Sequence, residues 1–543
     1  MTRAIALLLA LATGAAAMTT GKLEDRIWQT HDRDMDYLRE MIDIAPEWDV
    51  TGIQLSHRMI MHAWQVFEDE QLMADVRELA QRCKARGLRC HIWTHEVERA
   101  PAEMREGGKR GGRVILNDKL WEFIADRYEK LFSALPELDG IVLTFAETEC
   151  SVYDDAEVIS DAPQIERIVA LVDTIAAVCD KHGKELVIRT FAHSPAELDW
   201  LGNAFQQLAE KSEHKHVLKA MSKCVPHDWQ PFYPHNKFLG HVGGLPQIVE
   251  LDLGAEFYGH AVIPNCHPEY IRYRMEYARE KNVMGAVARI GRQDHHAHGT
   301  PNEVNIWALM RLCEDANYDV ETIWDEWTEK TYGKDAAPHM KAALKRTFEM
   351  CNLLYFAKGE WYVNHTRPTG YGYAVSHLHG NRITRWEYTP TQYVIEEELC
   401  NPGVGTVQAV MGEKLRANEI AQEAWADIEK AKEFLTEEQF AELAKRWDNL
   451  VLTIEAFARN VEIIWGCLHM ERIMRTGEQE MMIPQAIMLV QGARERLRIL
   501  ASEVEEKQPD AWPCTPENLL KVADDKKLDE IIEEASPGRT SPE

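Results

Sequence analysis

The chain contains no Cys-x-x-Cys pair. Its eleven cysteines, at 83, 90, 150, 179, 224, 266, 313, 351, 400, 467 and 514, are scattered and odd in number. That argues against a disulfide framework or a zinc ribbon and leaves most of them as small buried hydrophobes. Positive charge is scarce too: 61 Lys and Arg face 89 Asp and Glu, a formal charge of −28. A field of that sign argues against nucleic acid or an anionic membrane as the general partner, so any anionic ligand needs a local basic pocket. No Gly-x-Gly-x-x-Gly and no P-loop follows the first apolar run, which removes the usual nucleotide signatures. There is no repeat of fixed short period, no long low-complexity tract, and past the N-terminus no segment that reads as transmembrane.

What is present begins with MTRAIALLLALATGAAAMTT. One Arg, an apolar run over 4–11 and small residues over 15–17 match a secretory leader covering 1–17. A secreted or periplasmic location is therefore expected; the alternatives are a hydrophobic N-terminus that merely frays and a lipid-free membrane anchor, for which the run is short. From residue 25 to about 291, short apolar runs alternate with amphipathic stretches. The runs are RIWQTH (26–31), VTGIQLSH (50–57), RCHIWTH (89–95), GIVLTFAE (140–147), ELVIRTFAH (185–193), HVLKAMSK (216–223), PQIVELDL (246–253) and VMGAVARIG (283–291). Eight strands with intervening helices over that length predict an α/β protein built on a (β/α)8 TIM barrel, 25–300. Helix-periodic segments then dominate, predicting a mostly α-helical C-terminal domain over 301–534 and a disordered tail, 535–543. An irregular, aromatic-rich segment around 359–390 interrupts those helices.

In such a barrel the chemistry sits in the loops after the strands. Polar residues gather there: His31 and Asp32, His57, His95 and Glu96, Glu147 and Glu149, Arg189 and His193, Lys223 and Asp228, Glu250 and Glu256, then Arg289, Arg292 and His295. The densest stretch is 223–259, where Asp228 stands beside Trp229 and Glu250 and Glu256 follow. Carboxylates just past successive strands, beside aromatics, are what acid/base chemistry on a sugar needs. Trp229, Tyr258 and Trp93 are candidate stacking surfaces for sugar faces. The bland alternative, strand-end polar residues in solvated loops, holds for any one of these residues taken alone.

Three of these motif regions resemble the α-glucuronidases of glycoside hydrolase family 67, over roughly 25–335. They are Lys223 with Asp228-Trp229-Gln230-Pro231, Glu250 and Glu256-Phe257-Tyr258-Gly259; VIRTFAH around Arg189; and RIGRQDHHAHGTPNEVNIWALMRL with DVETIWDEWTEKTYG. The resemblance implies an inverting glycosidase needing no cofactor, with Asp228 and Glu256 on the base side and Glu149 as general acid. Inversion places acid and base roughly 6.5–9.5 Å apart to admit water. Glu147, two positions from Glu149, leaves the acid assignment open between them. Glu147, Arg189, Lys223, Trp229, Glu250, Tyr258, Arg292 and His295 are the candidate substrate-binding residues, and the partner is an oligosaccharide or polysaccharide fragment. The resemblance also implies a homodimer through the helical half; helices packed on the barrel's side are the alternative. Two features depart from the family. The Lys that precedes its strand-four Ser-Glu-Gly is missing from Thr144-Phe145-Ala146-Glu147-Thr148-Glu149-Cys150, and its β-rich N-terminal domain has no counterpart. Arg189 and Lys223 remain to pair a uronic carboxylate.

The run Asp294-His295-His296-Ala297-His298 invites a metal reading. Metal-dependent barrel hydrolases carry His-x-His after the first strand, where this chain has His31-Asp32, so no metal is assigned. Competing expectations are a retaining or substrate-assisted glycosidase using Glu147 and Glu149 as a close pair, and a carbohydrate-binding pseudoenzyme.

Overall fold

The computed structural model describes residues 21–145, 148–190, 192, 194–292, 294–380, 386, 390–508 and 511–536. The expected leader, Glu147, His193 and residues 537–543 lie outside that set. Eight parallel strands close into a barrel: β1 (Asp25–His31), β2 (Gly52–Leu55), β3 (Arg89–His95), β4 (Gly140–Thr144), β5 (Glu185–Thr190), β6 (Leu218–Lys223), β7 (Gln247–Asp252) and β8 (Gly285–Arg292). They pair in sequence order, and β8 returns to β1. Each apolar run named above overlaps its strand.

The two-residue period of a strand sorts the lumen into layers. At the lower end Lys219 donates to Asp25 (2.7 Å) across from β6 to β1, and His91 meets Glu185 at 3.0 Å. Here Gly285 is required, because a Cβ would collide with Asp25. Two residues further along each strand comes an apolar layer of Ile27, Trp93, Val142, Val187, Met221, Ile248 and Val287. Burying each of these is worth roughly 1.5–3 kcal/mol. Two residues further again the side chains turn polar: Gln29, His95, Arg189, Lys223, Glu250 and Arg289, all buried. The apolar layer thus plugs the barrel and gives the upper polar layer a dry floor.

The outer helices are α1 (Met35–Ile44), α2 (Glu70–Ala85), α3 (Asp118–Ala134), α4 (Gln164–His182), α5 (Pro195–Lys211), α6 (Pro268–Glu280) and α7 (Glu303–Glu314). Local chemistry starts and stops them. Asp34, Asp69, Asn117 and Ser194 accept the first free amides of α1, α2, α3 and α5, and Gly183 at φ 64° ends α4. Helix α7 packs on β8 and α6, so the last barrel helix begins just past the expected boundary at 300.

One expected helix is missing. The β6–β7 crossover, 224–246, contains no α-helix, because Pro226, Pro231, Pro234, Gly240, Gly243 and Gly244 punctuate it too often. Side chains hold it instead. Asn236 Nδ2 donates to Lys223 O (2.9 Å), and Arg274 from α6 donates to Tyr233 O (2.6 Å). The long loop after β3 is likewise pinned, by Arg105 on the carbonyls of Ala100 (3.0 Å) and Gly112 (3.1 Å). Its Val114–Ile115 pairs in parallel with Val158–Ile159 of the β4 loop.

The C-terminal half is helical: α8 (Val320–Tyr332), α9 (Ala337–Leu344), α10 (Thr347–Tyr355), α11 (Tyr371–Gly380), α12 (Pro390–Cys400), α13 (Val404–Ala431), α14 (Glu437–Thr476), α15 (Ile483–Lys507), α16 (Pro516–Ala523) and α17 (Lys526–Ala535). A Thr436–Gln439 capping box opens the forty-residue α14 and Gly477 at φ 67° closes it. It packs against both α13 and α15. One apolar cluster runs from Leu23 to Ala535, so barrel and helices share a core. All eleven cysteines are buried free thiols. Among the described residues no helix is long and apolar enough to cross a membrane.

Candidate active site at the barrel mouth

Backbone strain marks the mouth before any side chain is considered. Among the described residues twelve non-glycine positions have positive φ, and eight belong to segments that meet there: His57, Arg99, Ala255, His260, Ala261, Asp294, His365 and Thr366. For a β-branched Thr at φ 68° this conformation is costly, and it persists only where surrounding contacts dictate it.

The upper polar layer forms the floor as a set of ion pairs. Arg189 Nε donates to Glu250 Oε2 at 2.7 Å, with neither side chain reaching solvent. Lys223 Nζ meets Asp228 Oδ1 at 3.0 Å. Arg289 Nη1 meets Glu256 Oε2 at 2.7 Å, and Arg292 pairs with its Oε1. The Trp229 indole lies among three of these cations: Lys223 Nζ at 4.0 Å, Arg289 at 4.7 Å and Arg189 at 5.8 Å from the ring centroid. The Trp93 ring supports Arg189 from the layer below, at 4.7 Å.

Exposure separates groups that can touch a ligand from groups that hold them. The side chain of Glu250 is 0 % exposed and that of Glu256 1 %, whereas Asp228 is 21 % and Arg292 25 % exposed. Asp228 is thus the acidic group of the 223–259 stretch that opens most clearly into the mouth. Burial pushes its carboxyl up, but Lys223, with His227 behind it, overrides that and holds it well below the usual range. Asp252, at the end of β7, behaves oppositely. Burial raises it to about 6, limited by Arg289 and Arg292 and reinforced by Glu250. Its Oδ2 accepts the Glu256 amide at 2.6 Å. One ionised and one proton-holding carboxyl therefore follow neighbouring strands, the arrangement that separates a base from an acid.

The wall formed by β1 to β3 is made of neutral imidazoles. His31 stacks on His57 (4.0 Å), and both lie against Trp93. Burial, then the charge of Arg289, drives both pKa values well down. Arg289 Nη2 donates to His31 Nδ1 at 3.1 Å, which leaves Nε2 of that ring carrying the proton.

The helical half supplies the remaining wall. His365 Nδ1 donates to Glu256 Oε1 at 3.0 Å, Thr366 Oγ1 donates to Glu256 O at 2.8 Å, and the imidazole stacks on Phe257 at 5.0 Å. Burial and Arg292 lower His365 to about 4, so it is a neutral donor. Tyr373 and His377 stack at 3.9 Å, and both feel the charge of Asp228. None of His365, Tyr373, His377 and Asp252 was among the residues expected at the site. The available signal was the aromatic and histidine density of the irregular segment GEWYVNHTRPTGYGY, which no barrel pattern covers.

Several expected residues sit elsewhere. Glu149 lies against the long loop after β3 (the flap), where Oε1 meets Arg105 at 2.5 Å and Oε2 accepts the Arg99 amide at 2.7 Å. Its own amide and Thr148 bind Glu98. Tyr258 is enclosed by His267, Phe348 and Phe356, so it offers no face to a sugar. Trp93 and Trp229 are buried as supports for cations, so they too leave stacking to other rings. His295 faces a neighbouring cleft. The histidine run diverges: His295 toward Trp512, His296 toward Tyr37 and Asp32, His298 toward Glu303. Among the described residues no three His, Cys, Asp or Glu converge as metal ligands.

No family model and no curated protein matches the sequence. Solved structures do match the fold. The GH138 enzyme targeting pectin rhamnogalacturonan II aligns with a TM-score of 0.62 at 12% identity, covering 95% of this chain and 84% of its own. A GH115 4-O-methyl-α-glucuronidase with specificity for decorated arabinogalactans aligns at 0.49 and 12%, covering 97% and 63%. An O-GlcNAc hydrolase of Thermobaculum terrenum aligns at 0.46 and 9%, covering 95% of each chain. At 12% identity the likeness to the GH138 enzyme is one of fold alone.

Proposed function

We propose that the protein is an exported, inverting glycoside hydrolase, α-glucuronidase-like, that removes a uronic acid from an oligosaccharide. One observation carries the reading: Asp228, kept ionised by Lys223, opens into the mouth, and the largely buried Asp252 at the end of β7 holds its proton to about pH 6. Asp228 takes the proton of the attacking water, and the leaving oxygen receives one from the acid. Asp252 has the titration an acid needs. Glu149 is the alternative donor from across the mouth, once the flap releases it from Arg105. Glu250, Arg189 and Glu256 position the floor without touching substrate.

The preference for a uronic acid rests on charge. Arg189 pairs with Glu250 and Lys223 with Asp228, and both Arg289 and Arg292 reach Glu256. Arg292 is the most exposed of these four cations, and a guanidinium suits a carboxylate. The neutral histidine wall suits ring hydroxyls. The fold shared with the GH138 enzyme makes a polysaccharide-derived substrate the natural class to test. Export rests on the leader-like first seventeen residues.

The experiment is hydrolysis of glycuronide-decorated and neutral oligosaccharides by wild type, Asp228→Asn, Asp252→Asn and Glu149→Gln, with the anomer of the released sugar followed by NMR. Release of a uronic acid in the inverted configuration, lost with Asp228→Asn, is expected. Retained configuration refutes the single-displacement mechanism, release of neutral sugars alone refutes the uronate preference, and turnover unaffected by Asp228→Asn refutes the base.

A further inference from the structure

A second cleft adjoins the mouth. It encloses about 700 Å³ between the hairpin after β8 and helix α14, with Trp512 from the connection after α15 at its back. That volume is within the usual range of small-ligand sites. Trp512 is half-buried. His260 and His295 grip it at 4.6 and 4.8 Å with ring planes inclined by 54° and 46°. Inclined contacts fix the indole without covering it face to face, and the ring lines the cleft. Asn449 Nδ2 donates to Trp512 O at 2.8 Å and holds the chain there.

The cleft is built onto the catalytic floor. His260 Nε2 meets Arg292 O at 3.1 Å, and His295 pairs with Arg292 across the hairpin. Arg292 in turn reaches Glu256. Its chemistry is polar without a strong charge. Burial keeps both imidazoles neutral, with His295 lowered to about 4. Arg446 pairs with Glu442 at 2.8 Å and is directed to Ala261 O and Val262 O at 3.3 Å. Exposed Lys445, Glu442 and Asp294 also line the cleft. A phosphate or a lipid would find neither a basic pocket nor an apolar floor. A fixed indole beside two neutral imidazoles and a paired Arg446–Glu442 suits the apolar face and hydroxyl edge of a pyranose.

We propose that this cleft is a second carbohydrate subsite, which holds neutral sugar units of the oligosaccharide whose scissile bond lies in the barrel mouth. The proposal rests on the reading of the mouth as a sugar site. It assigns His295 and Trp512 to substrate length rather than to the bond being cleaved.

The test uses the full-length Asp228→Asn protein, so that turnover does not consume the ligand, titrated calorimetrically with pectin-, xylan- and arabinogalactan-derived oligosaccharides and with single-sugar glycosides. Adding Trp512→Ala should weaken the oligosaccharide about five- to tenfold more than the single-sugar glycoside. Trp512→Phe, which keeps the packing, should fall between, and it decides the matter if the Ala variant melts early. Equal weakening of both ligand sizes, no change in either variant, or no binding to any oligosaccharide overturns the subsite. Length-dependent binding lost in the Trp512 variants, by a protein whose wild type hydrolyses none of these compounds, sustains the subsite and sinks the hydrolase.

Discussion

Replacing Lys223 with Met tests the central claim about Asp228 quantitatively. The ammonium sits 3.0 Å from Oδ1 and is itself buried, while a fifth of the carboxylate's side chain is exposed. Coulomb's law at an effective dielectric of about 20 gives about 5 kcal/mol at that separation, a ceiling that solvent at the exposed edge lowers. Charge-assisted hydrogen bonds are worth about 1.5–3 kcal/mol, which corresponds to roughly one to two pH units of titration. In the wild type Asp228 lies below the carboxylate range, so the base stays ionised and kcat/KM should hold well into acid. Without Lys223, burial is opposed only by the weaker influence of His227 and His365, and Asp228 rises. The acid limb of the kcat/KM profile should then move up by about one to two units, with the plateau kept at higher pH. Stability follows the same sign. A depressed carboxylate contributes above its unfolded value near 4 and loses that contribution as pH falls through its folded value, so Lys223→Met should flatten the acid side of a Tm-versus-pH curve. A pH–rate profile superimposable on wild type would refute both the pairing energy and the assignment of Asp228 as base.

Asp252→Asn should lower turnover yet stabilise the fold. The carboxyl titrates near 6 when folded and near 4 when unfolded, so holding it ionised above pH 6 costs up to about 3 kcal/mol. Thermal melts should show the Asn variant above wild type at pH 8 and level with it at pH 4. If Asp252 is the acid, this variant should keep its activity on glycosides whose leaving groups need no proton, whereas Glu149→Gln should not discriminate among leaving groups; the reverse pattern returns the role to Glu149. His365→Ala removes a donor from buried Glu256 and should cost about 1.5–3 kcal/mol with a fall in kcat, measured by urea melts and kinetics. His365→Asn, which tolerates the left-handed backbone, should recover part of the stability. Arg105→Ala frees the flap from Ala100, Gly112 and Glu149, so limited proteolysis should cut within 106–112, where wild type resists.

The barrel was legible because β-strand periodicity is a local signal. Alternation in RCHIWTH or ELVIRTFAH puts Trp93 and Val187 in the lumen whatever the rest of the chain does. The strand-end carboxylates were legible for the same reason, since fold class alone sends Asp228 to the mouth. What each does there was not, because it depends on partners far away in sequence. Glu250 and Asp228 look alike in the chain, and only Arg189, 61 residues before Glu250, makes the former an internal counterion. Tyr258 follows Glu256 by two residues, yet the turn at Ala255 and Gly259 sends it into the core. His365 reaches Glu256 across 109 residues, from a segment whose periodicity announces neither helix nor strand. The missing β6–β7 helix was readable from its prolines and glycines, but the regular spacing of the strands around it masks that cue.

The strap that carries His365 and Thr366 bears on how this protein can be cut and recombined. Thr366 is both donor to Glu256 O and acceptor for the Gly259 amide (3.2 Å), so the loop after β7 takes its shape from a segment a hundred residues downstream. An excised barrel would keep all eight strands and lose the template for its own loop after β7, besides baring the apolar face that the helices cover. The modular unit for fusion, truncation or domain exchange is therefore the barrel together with its helical half. A chimera that joins this barrel to another protein's helices would have to match two hydrogen bonds and a left-handed turn before it matched any surface.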